Sequence, residues 1–315
     1  MLTGVTWFFF CIRLTYSCQW SQITCTMTAK VWLITGTSSG FGRRLVAIVL
    51  RRGDRVIASA RSLEKIKDFP NSPNLYRLEL DVTAGTEIVK HRIEAAVQDS
   101  GWGTIDVLVN NAGIGLPALL EEGGVQKMRE QFETNVFGTL DVTNAVLPYM
   151  RQSKSGVVVI IGSRSAWRPE IRGLGFYASS KAAIQTFGET LAVELEPLNI
   201  RVLIVEPGAF RTEGIYVHPF DDSNPIPEYD EERIDTVASW GLVAGKQPGD
   251  PEKAMNAVVD IVRGEGCAVG REWPLYLVLG KDADKDVRHK CARMMRHLDE
   301  WGDVVSGVDF DDTVS

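Results

Sequence analysis

The stretch V-W-L-I-T-G-T-S-S-G-F-G, residues 31–42, decides how the rest of the chain is interpreted. Its first residues are apolar and partly β-branched, which favours a buried strand. Glycines follow at Gly36, Gly40 and Gly42, and a helical pattern begins at Arg43. Glycines between a strand and a helix let the main chain approach a phosphate closely, and the N–H groups at the helix start can bind it. We therefore predict a phosphate-binding loop, with a tight structural turn as the alternative.

Outward from this loop, short apolar runs alternate with helix-like stretches. We predict strands at residues 31–35, 55–60, 75–80, 105–110, 156–162, 200–205 and 275–279, and helices at 43–52, 86–97, 125–150 and 176–195. Near-continuous apolar strands separated by helices indicate a parallel sheet that is covered on both faces. The predicted fold class is α/β: a doubly wound, mostly parallel, seven-stranded and Rossmann-like sheet in a single domain. A ligand site is expected at the carboxyl ends of its strands.

The chain divides into three predicted parts. Residues 1–26 form a leader or extension of uncertain status, and their apolar run at 5–12 is shorter than the roughly 20 residues of a spanning helix. Membrane contact through that run is the less favoured alternative. Residues 27–285 form a Rossmann-like dinucleotide-binding catalytic domain, with a substrate loop at 213–250 that is rich in Pro, Asp, Glu and Gly. Residues 286–315 form a C-terminal helix and an acidic tail.

Composition and charge restrict the partners. The net charge of -7 disfavours binding to nucleic acid, whose phosphates would be repelled. The five cysteines are odd in number and include no C-x-x-C pair, which favours a reducing compartment, and we predict a cytoplasmic location. None of the four histidines stands at metal-ligand spacing from another histidine or a cysteine, so we predict no metal.

Seven motifs, in order, resemble those of the short-chain dehydrogenase/reductase family. They are T-G-T-S-S-G-F-G at 35–42, L-D-V-T at 80–83, N-N-A-G at 110–113, E-T-N-V-F-G around Asn135, I-I-G-S-R-S around Ser163, Y-A-S-S-K at 177–181 and E-P-G-A-F-R-T at 206–212. The resemblance covers residues 30–279. It implies a nicotinamide-dependent oxidoreductase that acts on a small-molecule substrate and forms a homo-oligomer.

The resemblance also implies site residues. The implied catalytic residues are Asn135, Ser163, Tyr177 and Lys181. The implied cofactor-binding residues are Gly36, Ser38, Ser39, Gly40, Phe41, Gly42, Asp81, Val82, Asn110, Ala112, Gly113, Tyr177, Lys181, Phe210 and Thr212.

The serine motif departs from the family pattern. Family members usually carry S-S where this chain has Gly162-Ser163, and Ser163 lies 14 residues before Tyr177, one more than is usual. Ser165, which lies 12 residues before Tyr177, is the alternative catalytic serine. The strand alignment favours Ser163.

The residue after the second strand indicates which dinucleotide binds. A carboxylate there would bind the ribose 2′-hydroxyl of NAD and repel a 2′-phosphate. This chain instead has Arg61 after Ala60, and a guanidinium can pair with a phosphate. We therefore predict NADP(H) as the cofactor, with Arg43 as a second candidate contact. The alternative is that Arg61 is a solvated surface charge.

Tyr177 and Lys181 fit proton transfer to a carbonyl oxygen. They are four residues apart on a predicted helix, so they share one face. An ammonium favours the phenolate and lowers a tyrosine pKa from its usual value of about 10. Ser163 would orient the reacting oxygen, and Asn135 would hold water beside Lys181.

We therefore predict an NADP(H)-dependent enzyme that interconverts a carbonyl and a secondary alcohol. Four aromatic residues near the predicted site suggest an apolar or ring-bearing substrate, with ordinary core packing as the alternative; they are Trp167, Phe176, Tyr216 and Trp240. Alternative functions are an epimerase or dehydratase on the same scaffold, and a non-catalytic dinucleotide sensor.

Overall fold

A computed structural model describes residues 29–213, 218–243 and 245–310 of the chain. The predicted leader at 1–26, its apolar run at 5–12 and Tyr216 lie outside these residues. Along the described helices, no segment is both long and apolar enough to cross a membrane.

Seven parallel strands form one sheet. They are Val31–Ile34 (β1), Arg55–Ala60 (β2), Leu75–Glu79 (β3), Val107–Asn110 (β4), Gly156–Ile161 (β5), Ile200–Pro207 (β6) and Tyr276–Leu279 (β7). The strand order is β3-β2-β1-β4-β5-β6-β7, and each neighbouring pair is parallel. This confirms the predicted doubly wound α/β fold. The strand order reverses at β1, which has β2 on one side and β4 on the other.

Helices cover both faces of the sheet. The helices are Gly40–Arg51 (α1), Thr86–Ser100 (α2), Leu120–Phe132 (α3), Gly138–Ser153 (α4), Gly175–Leu195 (α5), Asp230–Val243 (α6), Pro251–Arg263 (α7), Lys281–Glu300 (α8) and Gly302–Ser306 (α9). One core layer joins the sheet to α2, α4 and α5, and the other joins it to α1 and α7.

The first strand explains this two-layered core. Val31 and Leu33 pack in the layer with α2, α4 and α5, whereas Trp32 and Ile34 pack in the layer with α1 and α7. All four side chains are buried. Because successive side chains of a strand point to opposite faces, an unbroken apolar run is what a sheet covered on both sides requires.

The predicted helix at residues 125–150 is not continuous. It consists of α3, a π-helical turn at Glu133–Phe137, and α4. Gly124 interrupts α3 with a φ of 58°. The π-helical turn contains Asn135, whose side chain bonds to Ile114 instead of solvent. The hydrophobic pattern does not reveal a single π-helical turn, because the apolar residues before and after the turn still recur at α-helical spacing.

The predicted substrate loop at residues 213–250 contains a helix that its composition did not predict. Helix α6 begins with three acidic residues, Asp230, Glu231 and Glu232, which favour a helix start. Beyond it, Asp250 caps α7 by accepting from the N–H groups of Glu252 and Lys253. A bridge between Phe210 and Gly249 brings the two ends of the segment together.

The C-terminal helix α8 begins at Lys281, ahead of the predicted boundary at residue 286. Its first half packs on the domain, where buried Asp286 pairs with Arg164 and Arg168. Residues 294–310 are exposed throughout.

Candidate active site

The carboxyl ends of the strands open into a cavity of about 1090 Å³. Loops that follow six strands contribute to its lining. These include Gly36 after β1, Arg61 after β2, Asp81 after β3, Ala112 after β4 and Ser163 after β5. The cavity therefore lies where a doubly wound sheet binds its ligand, beside the point where the strand order reverses.

The loop after β1 requires glycine for steric reasons. Gly36 has a φ of 68°, and a Cβ on it would lie 2.8 Å from Ala112 Cα. A Cβ on Gly42 would lie 2.5 Å from both Gly36 O and Asn111 Nδ2. The absence of side chains lets this loop pack against the loop after β4 and leaves its main chain open to the cavity.

The start of α1 already binds a carboxylate in this structure. Gly40 N donates to Glu213 Oε2 at 3.1 Å, and Arg44 pairs with the same carboxylate. The Arg44 guanidinium and nearby N–H groups hold the pKa of Glu213 at about 2. Because an anion is stabilised at this helix start, the loop fits the phosphates of a dinucleotide.

Asn111 is a structural residue of the site that sequence reasoning missed. Its Nδ2 donates to Thr35 O at 2.7 Å and to Gly36 O at 3.0 Å. Its main-chain N–H donates to Thr35 Oγ1 at 3.0 Å. It therefore ties the loop after β4 to the loop after β1. Its position as the second residue of N-N-A-G was the available signal.

Most of the predicted cofactor-binding and catalytic residues line the cavity. They are Gly36, Ser38, Ser39, Gly40, Phe41, Arg61, Asp81, Val82, Ala112, Gly113, Ser163, Tyr177, Lys181, Phe210 and Thr212. Lys65 joins Arg61 at the end near β2. Arg43 is not part of the lining, because it pairs with Asp68 and lies over the ring of Phe69.

Three predicted residues lie behind the lining. Gly42 packs α1 onto the loop, as described above. Asn110 is buried, and its Nδ2 donates to Thr143 Oγ1 at 2.8 Å. Asn135 accepts from Ile114 N at 2.9 Å and donates to Ile114 O and Ser180 Oγ, both at 3.0 Å. The two asparagine side chains therefore hold the end of β4 and the loop that follows it in place.

Ser163, Tyr177 and Lys181 meet at one end of the cavity. Lys181 is buried, and its Nζ donates to Ile161 O at 2.6 Å. Burial lowers the Lys181 pKa to about 8, against the opposing effect of Glu206. The Lys181 Nζ lies 5.8 Å from the centroid of the Tyr177 ring. The site thus contains a phenol, a hydroxyl and an ammonium that loses its proton unusually easily.

The pKa of Tyr177 does not follow the sequence-based expectation. It is raised because burial disfavours the phenolate, while hydrogen bonding from Ser163 opposes this effect. Lys181 was expected to lower it, but its ammonium lies at the carbonyl of Ile161. Desolvation outweighs the effect of the neighbouring charge, a balance that depends on burial and that spacing along a helix does not reveal.

Ser163 and Ser165 are both buried, but only one of them acts on Tyr177. Hydrogen bonding from Ser163 lowers the Tyr177 pKa. Ser163 Oγ also accepts from Ser165 N at 3.1 Å, so the main chain of Ser165 holds the hydroxyl of Ser163. This arrangement supports Ser163 over Ser165 as the serine that faces Tyr177.

Two of the four predicted substrate-contacting aromatic residues are packing residues. Phe176 is fully buried against Gly123, and Trp167 packs edge-on against Tyr276. Trp240 does line the cavity. The lining at this end also includes basic and apolar residues of the loop after β5 and of the segment around α6; these are Arg164, Arg168, Ile171, Arg172, Leu174, His218, Leu242 and Lys246.

Glu206 is a second residue that sequence reasoning missed. It lies at the end of β6, is fully buried, and its Oε2 accepts from Ser163 N at 2.8 Å. Burial raises its pKa to about 8. The signal was present in E-P-G, where a carboxylate ends an otherwise apolar strand. In the described part of the chain, no group of three or more His, Cys, Asp or Glu residues is placed to hold a metal.

Comparisons with known proteins agree with this architecture. The family model for short chain dehydrogenase matches residues 30–216. Oxidoreductase BOA17 of Botryotinia fuckeliana is 32% identical over 280 residues, which cover 86% of this chain and 96% of the relative. A short-chain dehydrogenase from Streptomyces avermitilis has 37% identity and a TM-score of 0.77, covering 90% of this chain and 100% of that one.

Two further solved structures carry bound dinucleotides. ElxO with NADP bound is 26% identical, has a TM-score of 0.62, and covers 80% of this chain and 96% of its own. A 3-ketoacyl-(acyl-carrier-protein) reductase from Brucella melitensis complexed with NADH is 23% identical, has a TM-score of 0.64, and covers 82% and 98%. The matched family model, the extent of the similarity to BOA17 and the seven-stranded sheet lead to one assignment: the chain belongs to the short-chain dehydrogenase/reductase family of oxidoreductases.

Proposed function

We propose that this protein is an NADP(H)-dependent oxidoreductase that interconverts a carbonyl and a secondary alcohol, with Tyr177 as the proton donor and acceptor. The observation that carries the proposal is the meeting of Ser163, Tyr177 and Lys181 in the same cavity as the glycine loop. When bound, the nicotinamide supplies or accepts the hydride. Among the similar solved structures, ElxO is bound to NADP and the Brucella melitensis reductase is complexed with NADH.

The residues of the chain have separate tasks in this proposal. The Tyr177 hydroxyl gives its proton to the substrate oxygen or takes it back. Its raised pKa keeps it protonated near neutral pH, as a proton donor in carbonyl reduction requires. Ser163 hydrogen-bonds to Tyr177 and can bond to the same substrate oxygen. Lys181, whose pKa is about 8, can replace the lost proton.

The choice of NADP(H) rests on the end of the cavity near β2. Arg61 and Lys65 line it, and Arg61 stands where a carboxylate would favour NAD. Two cations suit a 2′-phosphate, since charge-assisted hydrogen bonds are about twice as strong as neutral ones. The cavity wall with Trp240, Ile171 and Leu174 supports an apolar portion in the substrate.

The test is consumption of NADPH, with NADH in parallel, across a panel of ketones and aldehydes. We expect Tyr177→Phe to lower kcat by about 10²–10⁴-fold, which is the usual contribution of a positioned proton donor. The variant should still bind NADPH in a fluorescence titration. Retained turnover in Tyr177→Phe contradicts the proposed role, and binding of NADPH without turnover on any carbonyl by the wild-type protein favours the dinucleotide sensor.

A further inference from the structure

Gly162 is the residue at which the chain departs from the family motif, and the structure shows what lies where its side chain would be. A Cβ on Gly162 would come within 2.4 Å of Glu206 Oε1 and 2.9 Å of the carboxyl carbon. Gly162 N also donates to Val205 O at 2.8 Å, which fixes the two strand ends side by side. Any side chain at residue 162 therefore competes with the Glu206 carboxyl group for the same space.

The Glu206 carboxyl group has different environments on its two oxygens. Its Oε2 accepts from Ser163 N, whereas its buried Oε1 has no hydrogen-bond partner among the described residues. Burying a charge with an unsatisfied oxygen is costly, so the protonated form is favoured. Burial accordingly raises the Glu206 pKa to about 8, although the N–H of Ser163 and the charge of Lys181 both act to lower it.

The titratable groups that interact with Glu206 come from two elements. Helix α5 contributes Tyr177, Lys181 and Glu189, and β7 contributes Tyr276. Lys181 is the only cation in this set of described residues. Negative charge on Glu206 favours the ammonium of Lys181 and disfavours the phenolate of Tyr177. One buried carboxyl group therefore acts on both groups that the proposed proton transfer uses.

We propose that Glu206 is a positioning residue of this site, which holds Ser163 by its main-chain N–H and favours the ammonium of Lys181 from the space that Gly162 leaves open. The roles of Ser163 and Lys181 in turnover rest on the proposed function. The effect of Glu206 on the two groups does not, because it follows from contacts within the chain.

The test measures the Lys181 titration directly. Protein labelled with ¹³C at the lysine Cε is titrated by NMR, and the Lys181 signal is identified by its absence in Lys181→Met. Glu206→Gln keeps an acceptor for Ser163 N but removes the negative charge. We expect the Lys181 midpoint to fall by roughly 0.5–1 pH unit, because the favourable interaction with the ammonium is lost.

A matched control is Asp54→Asn, which removes another buried carboxylate. Asp54 lies just before β2, beside the start of β1, and accepts from Lys30 N and Trp32 Nε1. This control should leave the Lys181 midpoint unchanged. An unchanged midpoint in Glu206→Gln overturns the proposal. If no carbonyl supports NADPH consumption, the proposed function fails, but this titration still decides the role of Glu206.

A second pair of variants tests the shared space and serves if Glu206→Gln does not fold. Gly162→Ala places a Cβ against the carboxyl group, so it should also lower the Lys181 midpoint by displacing Glu206. The effect of Gly162→Ala on kcat is then measured in the wild-type protein and in Glu206→Ala. Because mutations of contacting residues do not add, the loss should be at least about threefold greater in the wild-type protein. Equal losses in the two backgrounds contradict a shared space.

Discussion

Arg61 is the side chain from which we predict a preference for NADP(H) over NAD(H). It follows the last residue of β2 and lines the cavity together with Lys65, and it is exposed. Position alone makes it a candidate for the 2′-phosphate, because the end of the second strand lies near the ribose in this fold. Its partner would be a ligand group, so no contact among the described residues fixes its role.

We expect Arg61→Ala to weaken NADPH binding by about 10–150-fold, the equivalent of a charge-assisted hydrogen bond worth about 1.5–3 kcal/mol. NADH binding should change little, because NADH has no 2′-phosphate. Fluorescence titration of both dinucleotides measures this. Arg55→Ala, at the other end of β2, is the matched control and should affect neither. Equal losses for NADPH and NADH would show that Arg61 does not contact the 2′-phosphate.

Glu206 gives the stability of the protein a pH dependence whose sign is opposite to that of an ordinary carboxylate. Its pKa rises from the usual 4.5 to about 8 on folding, so its contribution is complete below pH 4.5 and is lost as pH rises towards 8. The unfolding free energy of the wild-type protein should therefore fall across this interval. Glu206→Gln should lack this decline when both are compared by urea denaturation. The same decline in both proteins would place the titrating group elsewhere.

At the scale of elements, short irregular turns shape the site more than the regular helices do. The π-helical turn directs Asn135 at the loop after β4, and Gly138, which follows it, packs against Val82. The loop after β1 similarly depends on Gly36 and Gly42. These turns place main chain from different strands within contact distance, which shapes one continuous wall of the cavity.

We expect Gly42→Ala to destabilise the protein by about 1–3 kcal/mol, because its Cβ would overlap Gly36 O and Asn111 Nδ2 and force the loop to shift. NADPH binding should weaken as well. Urea denaturation and fluorescence titration measure the two effects. Gly302→Ala is the control, since a Cβ there meets nothing within 4 Å. Unchanged stability in Gly42→Ala would mean that the loop adapts without cost.

At the scale of the whole molecule, the segment at residues 218–243 forms a wall of the cavity that is attached to α3. Arg233 pairs with Glu122, whose side chain is only 1% exposed, and Glu122 Oε1 also accepts from Ile226 N at 2.9 Å. Lys127 pairs with Asp221, and this contact lowers the Asp221 pKa to about 2. These ionic contacts attach the wall to α3.

We expect Arg233→Met to loosen this wall, because it leaves the buried Glu122 carboxylate without its cation. Limited proteolysis should cleave within residues 218–243 faster than in the wild-type protein, and KM for the carbonyl substrate should rise. Arg288→Met removes the arginine of the exposed pair with Asp284 and should change neither. Unchanged proteolysis of Arg233→Met would show that the wall is held by other contacts.

The sequence by itself determined the sheet, its seven strands and the edge at which the site lies. Buried parallel strands have continuous apolar runs, and a glycine loop between a strand and a helix is typical of a phosphate-binding site. Most of the site residues that it named line the cavity. These features are local, since each depends on residues that are close along the chain.

Only the tertiary structure decided the features that depend on contacts between distant residues. The attachment of α6 to α3, the packing role of Asn135 and the pairing of Arg43 with Asp68 depend on such contacts. So does the raised pKa of Tyr177, because burial and not helical spacing dominates it. Glu206 and Gly162 are 44 residues apart along the chain, and their shared space exists only because β5 and β6 are neighbours in the sheet.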